Sequence, residues 1–125
     1  MQIIRKADIP ILSNSGVNSE QIIFPESSPD AGATITRVTV PAGTINPRHV
    51  HKESEQIWFV LSGRGMLLLE DETEREIYTG DVARFSPGDI HGFHNTNNTP
   101  FVYISVTTPP LNFRGIYDQE WEKSV

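Results

Sequence analysis

The chain has 125 residues, of which 37% are hydrophobic, and it carries a formal net charge of −6. This length fits a single domain over 1–125, and the acidic balance argues against a nucleic-acid partner, because such proteins usually present a basic face. Cysteine is absent, so disulfides are excluded and any bound metal must be held by nitrogen and oxygen atoms.

The N-terminal segment does not have the pattern of a targeting or membrane sequence. Arg5, Lys6 and Asp8 interrupt its apolar residues, so it lacks the continuous run of a signal peptide. No part of the chain approaches the roughly 20 consecutive apolar residues of a transmembrane helix. We therefore expect a cytoplasmic protein with no membrane partner.

The rest of the chain has the pattern of short strands. Segment 13–30 is polar, and we expect a long loop there around one short strand, Gln21–Phe24. Farther along, β-branched and aromatic segments alternate with turn residues, which predicts strands over 34–40, 56–61, 66–70, 74–78, 82–85, 92–95 and 101–107. This succession indicates an all-β antiparallel sandwich or barrel. The tail, 108–125, leaves the pattern, and within it Asp118–Lys123 is expected to form a helical turn at most.

All four histidines lie in two patches, His49 with His51 and His91 with His94. A neutral imidazole nitrogen is the commonest protein ligand for a catalytic divalent metal. Two histidines separated by one residue on a strand project from the same face, because strand side chains alternate. One strand can therefore supply two ligands and a distant strand a third, which predicts a metal site.

Both patches extend into longer motifs. The first is Gly43-x5-His49-x-His51-x4-Gln56-x6-Gly63, and the second is Gly80-x5-Ser86-x-Gly88-x2-His91-x3-Asn95. They resemble the two conserved motifs of the cupin superfamily, G-x5-H-x-H-x3,4-E-x6-G and G-x5-P-x-G-x2-H-x3-N. The resemblance covers 43–63 and 80–95 and implies a small single-domain cupin of the cupin 2 type, with a double-stranded β-helix (jelly-roll) fold. Ser86 stands where the family usually has proline.

The resemblance also implies a ligand set. His49, His51 and His91 would bind one divalent transition metal, which is Fe, Mn, Ni, Co or Zn. The family's fourth ligand is a glutamate, and its position falls on Gln56 in this chain. A glutamine oxygen is neutral, so the site would carry one more unit of positive charge than a site with glutamate.

Two alternatives to Gln56 as the fourth ligand stay open at this point. Glu55 could turn inward through a bulge at the start of its strand, or the three histidines could bind the metal without a fourth protein ligand. Strand alternation favours Gln56, because it places Gln56 on the face of Trp58 and Val60 and puts Glu55 on the other face.

Several further residues are candidates for the site or its surroundings. His94 matches no ligand position and is expected on the opposite face of its strand from His91, and Asn95 is expected to be a turn residue. Trp58 and Tyr103 could line a pocket beside the metal. Four arginines could hold a carboxylate or phosphate of a substrate, namely Arg37, which is also a candidate pocket residue, Arg48, Arg64 and Arg84.

The resemblance implies a metal-dependent enzyme that acts on a small polar metabolite. Dioxygenase-like chemistry is the first expectation and isomerase- or cyclase-like chemistry the second, and no catalytic residue is assigned. The alternative is a non-catalytic module that binds a sugar, an acid or the metal itself. A homodimer built through N-terminal strands is also expected, since the N-terminal segment is otherwise polar but contains the apolar residues Ile3, Ile4, Ile22 and Ile23.

Overall fold

The computed structural model describes residues 1–14 and 16–117. Within these residues the structure is almost entirely β. The ten strands are β1 (Ile11–Asn14), β2 (Val17–Ile23), β3 (Thr34–Val40), β4 (Ile45–His49), β5 (Glu55–Ser62), β6 (Arg64–Leu68), β7 (Glu74–Tyr78), β8 (Val82–Phe85), β9 (His91–His94) and β10 (Phe101–Thr108). Two short 3₁₀ turns, Lys6–Asp8 and Glu70–Glu72, and one helical turn, α1 (Arg114–Tyr117), complete the described chain. The helical turn predicted at Asp118–Lys123 lies outside the described residues.

The strands form two antiparallel sheets that pack face to face. One has six strands in the order β1-β2-β3-β10-β5-β8, and the other has four in the order β4-β9-β6-β7. Aromatic rings join the sheets in the core, where Phe93 stacks on Phe101 with ring centroids 3.9 Å apart. The predicted all-β architecture is therefore confirmed. No helix in the described part of the chain has the length and hydrophobicity needed to cross a membrane.

The prediction of a loop over 13–30 is wrong for the first half of this segment, because β1 and β2 pair there as an antiparallel hairpin. In β2 the buried positions alternate as a strand requires, and they are Val17, Ser19 and Gln21. Two of these three side chains are polar, so the alternation does not show as a hydrophobic pattern. The strand signal at the N-terminus was hidden for this reason.

A bulge in β4 turns two side chains toward the interior. Asn46 pairs with Phe93, whereas His49 pairs with His91, so β4 has one more residue than β9 across this interval. In a regular strand, residues three positions apart point to opposite faces. The extra residue allows both Asn46 and His49 to face inward.

Gly92 allows β9 to approach this bulge closely. A Cβ atom at Gly92 would lie 2.7 Å from the carbonyl oxygen of Asn46 and 2.8 Å from the backbone nitrogen of Arg48. Any side chain there would push β4 and β9 apart. The glycine thus sets the spacing between the two strands that carry His49 and His91.

Candidate metal centre

Three histidines meet at one end of the space between the sheets. One ring nitrogen from each of His49, His51 and His91 lies within 4.8 Å of the other two. Two nitrogens bound to one ion at about 2.1 Å each lie at most about 4.2 Å apart, so a small inward movement closes the cluster on an ion. The histidines singled out in the sequence therefore form a cluster that is compatible with a metal ion.

The route by which His51 reaches the cluster differs from the expectation. The strand ends at His49, so alternation along one strand does not place His51 on the same face. Instead, the N–H of Gly88 donates to the His51 carbonyl at 2.9 Å. This bond ties the chain after β4 to the turn before β9 and holds His51 beside His91.

Backbone carbonyl oxygens lie beside Nδ1 of two of the rings. His49 Nδ1 lies 2.8 Å from the Pro47 carbonyl oxygen, and His91 Nδ1 lies 3.1 Å from that of Asp89. A carbonyl oxygen only accepts, so these contacts favour a proton on Nδ1 of each ring. Each Nε2 is then left with a lone pair, which is the form that binds a metal.

All three imidazoles are neutral at physiological pH. Burial lowers the pKa of His91 to about 3, with a smaller contribution from the neighbouring His49. Burial also lowers the pKa of His51 to about 4, again with repulsion from His49 as the second cause. The pKa of His49 is lowered by burial, although its bond to the Pro47 carbonyl acts in the opposite direction. The cluster thus offers neutral ligands without first releasing protons.

Gln56 points its side chain at the histidines, and two neighbours fix its orientation. The Trp58 Nε1–H donates to Gln56 Oε1 at 2.8 Å, and Gln56 Nε2 donates to the Thr107 hydroxyl at 2.9 Å. An indole nitrogen only donates, so the amide oxygen must be the atom that faces Trp58. The same oxygen lies 3.2 Å from His91 Nε2.

This last contact is informative about the kind of ligand the site fits. A neutral imidazole carries a single proton, so His91 can donate to only one of its two oxygen neighbours, the Asp89 carbonyl or Gln56 Oε1. A proton on Nδ1 leaves Nε2 and the amide oxygen as two acceptors facing each other. A cation between them would satisfy both. His51 Nε2 is likewise buried without a hydrogen-bond partner among the described residues.

Glu55, the alternative fourth ligand, lies on the outer face of β5. Its carboxylate pairs with Arg84, whose Nη2 and Nε lie 2.7 and 2.8 Å from Glu55 Oε2. An inward Glu55 would require a bulge at the start of β5. The strand is regular there, because Gln56 pairs in register with Phe85 on one side and with Thr107 on the other.

A cavity of about 270 Å³ extends from the histidines into the space between the sheets. Its wall includes both predicted pocket aromatics, Trp58 and Tyr103, whose rings stack with centroids 4.0 Å apart. Burial raises the pKa of Tyr103 well above its usual value, so its hydroxyl stays protonated. The other residues that line the cavity are Ser19, Thr36, Val38, Asn46, Pro47, His49, Val50, His51, Gln56, Ser105, Phe113, Ile116 and Tyr117.

The arginines considered as substrate anchors do not line this cavity. Arg37 lies on the outer face of β3, where it is paired with Glu20 at 3.7 Å, and alternation along the strand explains its outward position. Of the other three, Arg48 donates to the Leu69 carbonyl, Arg64 to the Asn97 side chain and Arg84 to Glu55. No Asp, Glu, Lys or Arg is among the described residues of the cavity wall.

His94 and Asn95, the other two candidates from the second motif, lie outside the histidine cluster. His94 is not part of the histidine cluster and pairs across the sheet with Ile45 and Met66. Asn95 is fully buried, and its Nδ2 donates to the carbonyl oxygens of Val40 and Thr99. It fixes the loop that follows β9, as a turn residue does.

Sequence reasoning missed most of the cavity wall. Three of the missed residues are small polar side chains on inward strand positions, Ser19, Thr36 and Ser105. Others come from the tail, where Phe113, Ile116 and Tyr117 cover the cavity. The signal that was available is the alternation in β10, where Tyr103, Ser105 and Thr107 share one buried face.

The lowered pKa values predict that the metal-free protein loses stability in mild acid. Below about pH 6.5 the unfolded chain takes up protons on His51 and His91, whereas the folded protein does not until about pH 4 and about pH 3. The stability contributed by the neutral histidines is complete above pH 6.5 and declines as the pH falls through this window. Urea-unfolding midpoints measured over this range should fall, and the fall should be smaller in His91→Gln. An equal fall in parent and variant would contradict the assignment.

Comparisons with known proteins agree with this architecture. A family model described as "Cupin domain" matches residues 36–107. An uncharacterized protein of Methanocaldococcus jannaschii is 27% identical over 103 residues, which cover 82% of this chain and 82% of that protein. An oxalate-binding protein of Thermotoga maritima is 24% identical over 90 residues, which cover 72% of this chain and 74% of that protein.

Among solved structures, the ectoine synthase of P. lautus superposes with a TM-score of 0.80 at 16% identity, covering 94% of this chain and 85% of that one. At this identity the likeness concerns the fold, which is the double-stranded β-helix that the motifs implied. The family model spans more than half of the sequence and includes both histidine patches. The chain belongs to the cupin family.

Proposed function

We propose that this chain is a metal-dependent enzyme that holds one divalent transition metal with His49, His51, His91 and Gln56 and acts on a small polar metabolite. The observation that carries the proposal is the convergence of three neutral imidazoles beside a cavity whose wall includes His49 and His51. One ring nitrogen, His51 Nε2, is buried without a partner among the described residues. Buried polar atoms are nearly always satisfied, so this arrangement fits a site that is completed by a cation.

Gln56 is the fourth ligand that the geometry favours. Its oxygen is turned toward His91 by the Trp58 hydrogen bond, and it retains a second lone pair for a cation. Glu55, by contrast, is engaged with Arg84 on the outer face. Three imidazoles and one amide contribute no negative charge, so the full charge of the ion acts on whatever else it binds.

This donor set favours isomerase- or cyclase-like chemistry over dioxygenase-like chemistry. A divalent metal held by neutral ligands supplies Lewis acidity, and it is harder to oxidise than one held by a carboxylate. The chain's own groups contribute positioning: Tyr103 offers a protonated hydroxyl, and the aromatic and aliphatic wall excludes water. The cavity is near the lower end of the usual range for small-molecule sites, roughly 300–1,000 Å³, which suits a small metabolite.

A non-catalytic binding module is the second candidate, because the Thermotoga maritima relative is an oxalate-binding protein. Both candidates require coordination positions that a small molecule can reach. They differ in whether the bound molecule is changed.

Reactions of a metabolite extract separate the candidates. The protein is reconstituted under argon with Fe²⁺, Mn²⁺, Ni²⁺, Co²⁺ or Zn²⁺ and incubated with a small-metabolite extract, which is followed by NMR and mass spectrometry. We expect at least one compound to be converted equally well under argon and air. Conversion only in air would favour the dioxygenase, and no conversion with any metal would overturn the enzyme proposal in favour of the module. The control is His49→Ala/His51→Ala, checked for folding by circular dichroism.

Replacement of Gln56 by glutamate tests the fourth ligand. Gln56→Glu keeps the shape of the side chain, and the Thr107 hydroxyl can rotate to donate to the new carboxylate. The added negative charge should raise the affinity for Mn²⁺ by about tenfold or more, since hard ions prefer carboxylates. The measurement is isothermal titration calorimetry. Glu55→Gln is the matched control and should leave the affinity unchanged, whereas an effect of Glu55→Gln with none of Gln56→Glu would assign the ligand to Glu55.

We also propose a homodimer, as expected from the isoleucines of the N-terminal segment. Ile3 and Ile11 are each 60% exposed, and Phe59 and Val82 form an exposed apolar pair on the outer face of the six-stranded sheet. Exposed large apolar side chains at these positions support an interface between protein molecules.

A further inference from the structure

Ser105 is a second buried polar group in the cavity, after His51, that has no hydrogen-bond partner among the described residues. Its side chain is 3% exposed, and its Oγ makes no hydrogen bond to any described residue. It lies on an inward position of β10 and is part of the cavity wall. A buried hydroxyl without a partner is unfavourable, so its position indicates a bonding partner supplied from within the cavity.

Several polar side chains around the cavity already have hydrogen-bond partners. Gln21 Nε2 donates to the Ser19 hydroxyl at 2.8 Å, and Ser19 also shares a hydrogen bond with Tyr117. Tyr103 shares a side-chain hydrogen bond with Asn46. Ser105 therefore stands out as a hydroxyl whose donor and acceptor capacity are both available to a ligand.

The register places Ser105 at a fixed distance from the metal ligands. Ser105 pairs with Trp58 across β5 and with Thr36 across β3, whereas Thr107 pairs with Gln56. Two residues along a strand span about 6.8 Å. A ligand that coordinates the metal beside Gln56 and also reaches Ser105 is thus a short molecule, with one polar group at each end.

The charge of the wall limits what the far end of this ligand can be. The described residues that line the cavity include no Asp, Glu, Lys or Arg. An ammonium group beside Ser105 would be repelled by the ion and would find no counter-charge on the wall. A phosphate or carboxylate there would be buried without a charged side chain to pair with, and the ion about 6.8 Å away is already bound to the other end of the ligand, so its burial is unfavourable as well. The apolar part of the wall includes Val38, Trp58, Phe113 and Ile116.

We propose that Ser105 is a specificity-determining residue that hydrogen-bonds an uncharged hydroxyl or carbonyl group at the end of the substrate remote from the metal. The inference rests on the proposed function and refines it. The substrate class is a small molecule with one metal-binding oxygen group, a short apolar middle and a neutral polar end.

Three hydroxamic acids that share a metal-binding head test this proposal. Valerohydroxamic acid ends in a methyl group, γ-hydroxybutyrohydroxamic acid ends in a hydroxyl of similar size, and succinic monohydroxamic acid ends in a carboxylate. Their affinities for the Zn²⁺-loaded protein are measured by isothermal titration calorimetry. We expect the hydroxyl-ended probe to bind about tenfold more tightly than the methyl-ended probe, as one hydrogen bond allows, and the carboxylate-ended probe to bind most weakly.

Ser105→Ala should remove this preference. It should weaken the hydroxyl-ended probe by about tenfold and leave the methyl-ended probe within about twofold of the parent. Ser62→Ala, which removes an exposed hydroxyl at the end of β5, is the control and should change neither. Thermal unfolding gives a second readout: because the Ser105 hydroxyl has no partner among the described residues, Ser105→Ala should be at least as stable as the parent, whereas a structural role would lower its stability.

The outcomes test the role of Ser105 separately from the metal centre. Probes that bind without a hydroxyl preference, a preference that survives Ser105→Ala, or tight binding of the carboxylate-ended probe would each overturn the role of Ser105 while leaving the metal centre intact. If no probe binds to the Zn²⁺-loaded protein, the reachable metal of the proposed function is wrong, and the inference falls with it.

Discussion

Three imidazole rings lie within 4.4–5.3 Å of one another, centroid to centroid, in a largely buried site. Protonated rings at this spacing would repel each other, and burial adds a penalty for each charge. The rings are therefore neutral, and the carbonyls of Pro47 and Asp89 favour Nδ1 as the protonated atom in two of them. The bulge in β4, the close approach at Gly92 and the tie between Gly88 and His51 all serve to hold these rings in place.

The electrostatic character of the site follows from what lies next to the rings. In the described residues the cavity wall carries no side chain that is charged at neutral pH, and Gln56 takes the place where the family has a glutamate. A bound cation would then be the largest charge in its surroundings. Because no anionic side chain offsets the cation, a ligand bound to it meets its full charge. Because no charged side chain lines the rest of the cavity, the remainder of that ligand is expected to be neutral. Gln56 and Ser105 therefore act together in selecting the ligand.

The sequence predicted the parts of the molecule that depend on local spacing. The motif distances identified His49, His51 and His91, and alternation placed Gln56 on the face of Trp58, as the structure shows. It could not predict the route of His51, because a backbone bond to Gly88 depends on tertiary contact. The β1–β2 hairpin and the wall formed by Ser19, Thr36 and Ser105 were missed because polar residues face inward there, and hydrophobic periodicity is blind to such positions. The sequence analysis did not predict that the C-terminal tail covers the cavity, because a segment without a strand pattern does not indicate which part of the fold it packs against.

The central claim is that one metal ion is held by three histidines and the amide oxygen of Gln56. An anomalous-difference map from crystals of the Zn²⁺-loaded protein, recorded at the zinc absorption edge, tests it directly. The account predicts a single peak among His49, His51 and His91, with Gln56 Oε1 at a bonding distance of about 2.0–2.2 Å. A peak ligated by Glu55, or no peak at the histidine cluster, would contradict it.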